Sequence, residues 1–535
     1  MNQRLRALCD LAASSVREYV GRHEYDGRIE DLSPEGVRAG LARLGGPDRE
    51  PEPDPHDEAQ LAAFERLARL ELGELELHRS NPLYHIGALD VSCYDREYAP
   101  AAERAEARRR HLAAWPDAVD AAVTALDRVA APVAEALGPA AGGLAANLVG
   151  QEGSGAPGTG APAGRGDGDP VVAAALTAHR RLVAHLEAAA VNGDPDAALG
   201  RATLARLLGT GEALEVDLGR LEERADAERD RLRALLEDAC AAIAPGRPTA
   251  AVVAELLADH PDAAGVMAEA QALTAESVAF TVARGLVPGL DGDCLVAPSP
   301  PSRRWATAMM SWAAPYEPDA PSRYYISPPD PGWPADEQDD WLKLFSRTTL
   351  PAITVHEVAP GHFAHGRYLR RVGTDVRRTL HSLAFVEGWA HYGEELCLEE
   401  GFRAGDPRFV AGVALEALQR VTRLAVALGV HGGTMTVADG AARFEADAFC
   451  YGPAARAEAA RATFDPTYGR YTWGKLEIMA LRDQARARWG AGYSHARFHD
   501  ALLRLGSPPL GLMAAALDEA GSLDPLKGPS PGSRT

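Results

Sequence analysis

His356-Glu357-Val358-Ala359-Pro360-Gly361-His362, followed by Phe385-Val386-Glu387-Gly388-Trp389-Ala390-His391-Tyr392, are the two stretches that decide how this chain is read. Imidazole nitrogens bind Zn²⁺, and a carboxylate beside a metal can take a proton from water. His356 and His362 offer the nitrogens, Glu357 the base and Glu387 a third ligand oxygen. Both stretches read as helical, so the expected fold is one in which two helices present metal ligands to each other.

The spacing between the histidines needs explaining. The usual zinc helix carries His-Glu-x-x-His, with the imidazoles at i and i+4 on one face. Here they stand at i and i+6, and six steps of about 100° leave His362 pointing roughly 240° away from His356 on a straight helix. Pro360 has no N–H to give to the carbonyl of His356, and Gly361 permits unusual dihedrals. A bulge at Pro360-Gly361 would bring His362 back to the metal. In the rival geometry the helix ends at Ala359 and another starts near His362, making His362 and His365 the facing pair.

Glu387 opens an amphipathic helix with His391 and Glu394 on the same face. A glutamate from a second, antiparallel helix completes a three-ligand site that leaves the fourth position to water. His391 or Glu394 would then orient the ligands from behind.

The rest of the sequence sets the frame. A chain of 535 residues, 46% of them hydrophobic, can bury a substantial core. Its net charge of −21 argues against nucleic acid or an anionic membrane as partner. The start, Met1-Asn2-Gln3-Arg4-Leu5-Arg6, has no apolar signal core, and no run approaches the ~20 apolar residues of a membrane span. Six scattered cysteines (Cys9, Cys93, Cys240, Cys294, Cys397, Cys450) read as reduced, buried thiols. Together these give the expectation of a cytoplasmic protein.

Helical periodicity dominates. Leu61, Phe64, Leu67, Leu70 and Leu75 mark one amphipathic stretch; Leu218, Leu221, Leu232, Leu235 and Leu236 mark another. Helical text fills residues 102–138 and 175–284, and returns at 378–400, 407–428, 452–463, 471–488 and 494–504. Pro351 suits the first turn of the metal helix. Residues 138–170, rich in Gly, Pro and Ala, read as a mobile surface loop. Strand character gathers at Cys294-Leu295-Val296-Ala297, Trp305 to Trp312 and Tyr324-Tyr325-Ile326-Ser327. A small sheet there would lie beside the metal helix, either offering an edge to an extended peptide or serving as a plain structural hairpin. The expected organisation is an N-terminal helical region at 1–285, a catalytic region at 286–525 and a loose tail at 526–535.

His-Glu-x-x-Pro-Gly-His followed by Phe-x-Glu-Gly-Trp-Ala resembles the bacterial zinc-hydrolase family catalogued as a domain of unknown function, DUF885, itself similar to the gluzincin metallopeptidases. The resemblance continues through Gly429-Val430-His431-Gly432, Arg461, Tyr471-Thr472-Trp473-Gly474-Lys475, Phe498-His499-Asp500 and Gly506-Ser507-Pro508-Pro509-Leu510. It implies a mainly α, large helical gluzincin-like fold with a small β-sheet beside the metal helix, and one Zn²⁺ per chain. The chain departs from the family pattern at Phe363, where a further histidine is usual, and at Ala359, where an aromatic residue is common. Both changes alter the pocket wall, so no substrate preference carries over.

On this reading His356, His362 and Glu387 hold zinc and Glu357 is the general base. Donors should converge on the developing oxyanion, and Tyr471 and His431 are the candidates, with Arg461 and Lys475 after them. Arg461, Lys475 and Tyr325 are candidates for substrate binding, the two cations by holding a free carboxylate. Plainer roles stand beside these: a helix cap for Tyr471, a turn for His431 and an ordinary ion pair for Arg461. The function expected first is zinc-dependent hydrolysis of amide bonds in peptides or peptide-like substrates. A small-metabolite amidase or esterase would use the same centre. A non-catalytic helical binding protein would keep a structural metal, for which an intact Glu357 has no use.

Overall fold

The computed structural model describes residues 1–45, 50–149, 169–317 and 319–519. It is mainly helical, with one small sheet of three strands among the described residues: β1 (Cys294–Pro298), β2 (Ala308–Ser311) and β3 (Ser322–Ile326). The order is β1-β3-β2, with β1 parallel and β2 antiparallel to β3. β3 is therefore the central strand, and β1 and β2 are the edges. The middle segment is strand only at 308–311; the Trp305 end forms turns and bends, and Trp312 leaves the sheet.

In the N-terminal half, the helices Ala101–Ala125, Ala131–Val149 and Pro170–Asn192 close on a core containing Trp115, Leu137, Leu144, Leu182 and Leu186. The Ala131–Val149 helix runs past residue 138, where the loop was expected to start. Ala140, Ala141 and Leu144 are buried against the Pro170–Asn192 helix, and that apolar contact carries the helix on to Val149 despite Pro139. Residues 150–168 of the expected loop, and the tail at 526–535, lie outside the described residues.

A second, larger core runs from Leu204 to Leu517. In it the Leu218–Ile243 helix packs along the Pro407–His431 helix, which joins the 201–284 stretch to the later helices. The apolar stripe of the first is the one the sequence marks: Leu218, Leu221, Leu232 and Leu236 are all buried.

Of the later helices, the expected 378–400 stretch divides into Asp375–Thr379 and Leu383–Glu400. His381 pairs there with Ser507 in an isolated bridge, and Ser382 starts the second helix by accepting from the Phe385 N–H at 3.0 Å. The Val437–Ala448 helix was not anticipated, although Thr436 and Asp439 form a full capping box at its start.

Candidate metal centre

The metal stretch forms two short helices. Leu350–Glu357 carries Pro351 in its first turn, and His362–Leu369 follows a turn at Val358–Gly361. The break is the one foreseen by the rival geometry, yet the pair it brings together is His356 and His362. The chain reverses tightly: the Gly361 N–H donates to Val355 O at 3.1 Å and that of Ala364 to Val358 O at 3.0 Å. A Cβ on Gly361 would lie 1.8 Å from the His356 carbonyl oxygen, so only glycine fits.

The second stretch fastens to this turn. Trp389 Nε1 donates to Pro360 O at 2.9 Å. The helix carrying Glu387 crosses the Arg470–Trp489 helix at two glycines. A Cβ on Gly388 would meet the Gly474 backbone at 2.4 Å, and one on Gly474 would meet Ala384 O at 1.9 Å. Close crossing at these glycines sets Glu387 and Tyr471 on the same site.

His356, His362 and Glu387 each bring one ligand atom to a common point, all within 4.8 Å of one another. His356 Nε2 lies 3.5 Å and His362 Nε2 3.2 Å from Glu387 Oε2. Tetrahedral arms of about 2.0–2.1 Å to nitrogen and oxygen imply ligand–ligand edges of roughly 3.3 Å, close to the two edges that meet at Glu387 Oε2. Glu387 Oε2 and His362 Nδ1 have no hydrogen-bond partner although buried.

His356 Nδ1 lies 2.7 Å from Glu394 Oε1, which leaves Nε2 for the cluster. Glu394 is fully buried beside Arg420, whose Nη1 also donates to Glu416 at 3.0 Å. Burial raises the Glu394 pKa, but Arg420, His391 and His356 outweigh it and hold the carboxylate ionised. His391 is buried against the same carboxylate, Nδ1 3.3 Å away, and burial pulls its pKa down to about 4. Glu394 thus stands behind His356, with His391 beside it.

Glu357 is 6% exposed, and its Oε2 has no partner. Burial pushes its carboxyl above the usual range, against the pull of His362 and His356. Burial likewise lowers the His356 pKa, but Glu387 and Glu394 more than compensate.

Tyr471 joins this group. Its ring stacks on His356 at 6.1 Å and 22°, and its hydroxyl accepts from Arg461 Nη2 at 3.3 Å. Arg461 is also forked on Asp465, with Nε at 3.1 Å and Nη2 at 2.9 Å.

The other candidates stand elsewhere. His431 Nε2 bonds the Ala462 carbonyl at 2.8 Å, fastening the end of the Pro407–His431 helix. Lys475 is buried between Glu228 and Glu395 and ties three helices together. Tyr325 is on β3, where side chains alternate between faces. Its surroundings are Arg303, Arg323, Glu18 and Arg96, whereas Tyr324 senses Glu357. The tyrosine facing the metal helix is therefore the neighbour of the one expected. His365 turns to Gly506 O at 3.3 Å and Ser507 Oγ at 3.2 Å, so the His362–His365 pairing does not form.

Sequence reasoning missed Trp312, which leans on His362 at 6.4 Å and on His365 at 5.9 Å. It also missed Arg420 and Arg423. Their signal was two arginines inside a helix whose neighbouring positions, Leu418, Val421 and Leu424, are apolar and buried.

The six cysteines are free and buried. No helix among the described residues is long and apolar enough to cross a membrane. Two solved structures share the fold. One, from Shewanella oneidensis, is 19% identical with a TM-score of 0.70, over 96% of this chain and 98% of its own. Another, from Colwellia psychrerythraea, is 17% identical with a TM-score of 0.70, over 97% of each. Both are described as "putative" lipoproteins, the first of unknown function. No curated protein matches the chain. The profile of DUF885, described as a bacterial protein of unknown function, matches residues 15–517, and the chain belongs to that family.

Proposed function

We propose that this protein is a zinc-dependent hydrolase of amide bonds in peptides or peptide-like substrates, built on a gluzincin-like helical scaffold. The observation that carries the reading is the convergence of His356, His362 and Glu387 on one point, with the unpartnered carboxylate of Glu357 on the same helix as His356. One zinc ion held there would polarise a scissile carbonyl and acidify a water molecule.

The protein's own groups do the rest. Glu357, buried and without a partner, accepts the proton of the attacking water and passes it to the leaving nitrogen. Glu394 fixes the His356 ring through Nδ1. The Tyr471 hydroxyl donates to the oxygen on which negative charge develops. β2 is an edge strand next to the Leu350–Glu357 helix, which suits an extended peptide laid along it.

Among the described residues three ligands converge rather than four, which favours a catalytic over a structural metal. A small-metabolite amidase or esterase would use the same groups, and profiling peptides against non-peptide amides and esters separates the two. A cytoplasmic location is part of the proposal and rests on the free cysteines.

The test is direct. Purified protein should carry close to one zinc per chain and cleave members of a peptide library, read by product mass. Glu357→Gln should keep the metal and lose turnover, while His356→Ala should lose both. A Glu357→Gln protein that still turns over refutes the base assignment.

A further inference from the structure

Arg461 is placed to hold the Tyr471 hydroxyl rather than a substrate carboxylate. Its guanidinium is 5.5 Å from the Trp305 ring centre, 5.6 Å from that of Tyr468 and 5.9 Å from that of Tyr471. The side chain is 10% exposed. Nε and Nη2 both donate to Asp465 Oδ2, and Asp465 is held in turn by Arg470 Nη2 at 2.7 Å. The second Nη2 hydrogen goes to Tyr471 Oη at 3.3 Å. With Nη2 divided in this way, neither edge of the guanidinium has two parallel N–H groups for a free carboxylate.

Seen from Tyr471, the arrangement is directional. A phenol O–H lies near the ring plane on one side of the oxygen or the other. A donor settled on one side leaves the proton on the opposite side. Arg423 reinforces the placement: its guanidinium is 4.9 Å from the centre of the Tyr471 ring and is locked by Glu458 at 2.7 and 2.6 Å. The Tyr471 ring is also stacked on His356, at 6.1 Å.

We infer that Arg461 is a positioning residue: by donating to Tyr471 Oη it turns the phenolic proton away from itself and leaves it for an acceptor in the site, so that Tyr471 meets the reacting carbonyl oxygen as a hydrogen-bond donor. This rests on the hydrolase reading above. It goes beyond that reading by giving Arg461 a role carried through Tyr471 and not through the substrate's terminus.

The experiment is a double-mutant cycle on the zinc-loaded protein, with Tyr471→Phe, Arg461→Met and both together. Cleaved library peptides are compared with free and with amidated C-termini. Tyr471→Phe should lower kcat by about 10²–10³, the usual effect of losing one oxyanion donor. Arg461→Met should lower kcat with KM held within about twofold for both peptide forms, and the double variant should be no slower than Tyr471→Phe alone. Arg461→Lys, which keeps the charge among its carboxylates, should recover part of the loss. It replaces Arg461→Met in the cycle if that variant does not fold.

A phosphinic dipeptide, whose tetrahedral oxygens stand in for the oxyanion, gives a readout without turnover. Calorimetry should show both single variants weakened, and the double variant no weaker than Tyr471→Phe. Losses that multiply, or a KM rise confined to peptides with a free C-terminus, overturn the inference and return Arg461 to carboxylate binding. A wild-type protein that binds zinc but cleaves no amide overturns the hydrolase reading and this inference with it. An active wild type with multiplying losses overturns only the inference.

Discussion

The indole nitrogen of Trp389 donates to the carbonyl oxygen of Pro360 at 2.9 Å, joining the centre of the second sequence motif to the turn of the first. Both residues are buried, and Pro360 lies between the two histidines that meet at the cluster. Trp389→Phe keeps an aromatic ring and removes the donor, leaving a buried carbonyl unpaired. Urea unfolding should show a loss of about 1–3 kcal/mol. Zinc competition titration should show affinity reduced by about 10–100-fold, as for other groups that orient ligands. A variant as stable and as tightly metal-bound as wild type would remove this bond from the account of the turn.

Gly388 and Gly474 are tested by adding one methyl group. Each Cβ would fall within about 2.5 Å of backbone atoms of the other helix, with no flexible side chain to give way. Gly388→Ala and Gly474→Ala should each cost at least about 1–3 kcal/mol, with the same sign in thermal and chemical unfolding. Gly87 is the control. It lies in the Leu83–Leu89 helix with nothing within 4 Å of the place a Cβ would take, so Gly87→Ala should be neutral or stabilise by about 0.4–1 kcal/mol. Equal effects at all three positions would mean that close crossing is not what these glycines serve.

Glu394 carries the orientation of His356. Glu394→Gln retains an oxygen that can accept from Nδ1–H, whereas Glu394→Ala leaves the ring free and Arg420 with Glu416 as its remaining carboxylate. Zinc affinity should fall in the order wild type, Gln, Ala, with the alanine variant about 10–100-fold weaker. Retained affinity in Glu394→Ala would place the orienting role elsewhere, with His391 the next residue to test.

Much of the site was legible because its chemistry is local. The two motifs lie on neighbouring helices, and ligand residue types are few, so the convergence of His356, His362 and Glu387 was readable from residue type and order. The geometry of the turn was less so. A proline-glycine pair signals a break but not its direction, and both the bulge and the two-helix form were consistent with it. The remoter candidates were harder to place for a different reason. His431, Lys475 and Arg461 are polar residues in recognisable stretches, and whether such a group faces the site depends on partners far along the chain: Ala462 for His431, Glu228 for Lys475 and Asp465 with Tyr471 for Arg461. At Tyr325 the error was one residue, which on a strand exchanges one face for the other. The helix through Val149 was hidden by its composition, since its apolar partner is another helix and not part of its own sequence.

Glu212 ties the start of the Glu387 helix to the C-terminal segment and gives stability a pH dependence of its own. Its oxygens accept from Ser382 Oγ at 2.8 and 2.7 Å and from the Leu510 N–H at 2.8 Å. Ser382 caps the Leu383–Glu400 helix. Burial pushes the Glu212 carboxyl up from 4.5 to about 7, against the pull of these hydrogen bonds. The folded state therefore holds this proton more tightly than the unfolded chain does. Below about pH 4.5 the group is protonated in both states and imposes no penalty. Between there and about pH 7 the unfolded chain releases its proton first, so the contribution to stability falls as pH rises; above pH 7 the full penalty, about 3 kcal/mol, is present. Glu212→Gln preserves an accepting oxygen and cannot ionise. In urea unfolding near pH 5 and near pH 8, the variant should gain on wild type as pH rises, with the gain complete at the higher value. A difference that stays constant would show that the buried carboxyl ionises as easily in the folded chain as in water, and one that shrinks toward high pH that it ionises more easily there; either outcome removes burial as the dominant influence on Glu212.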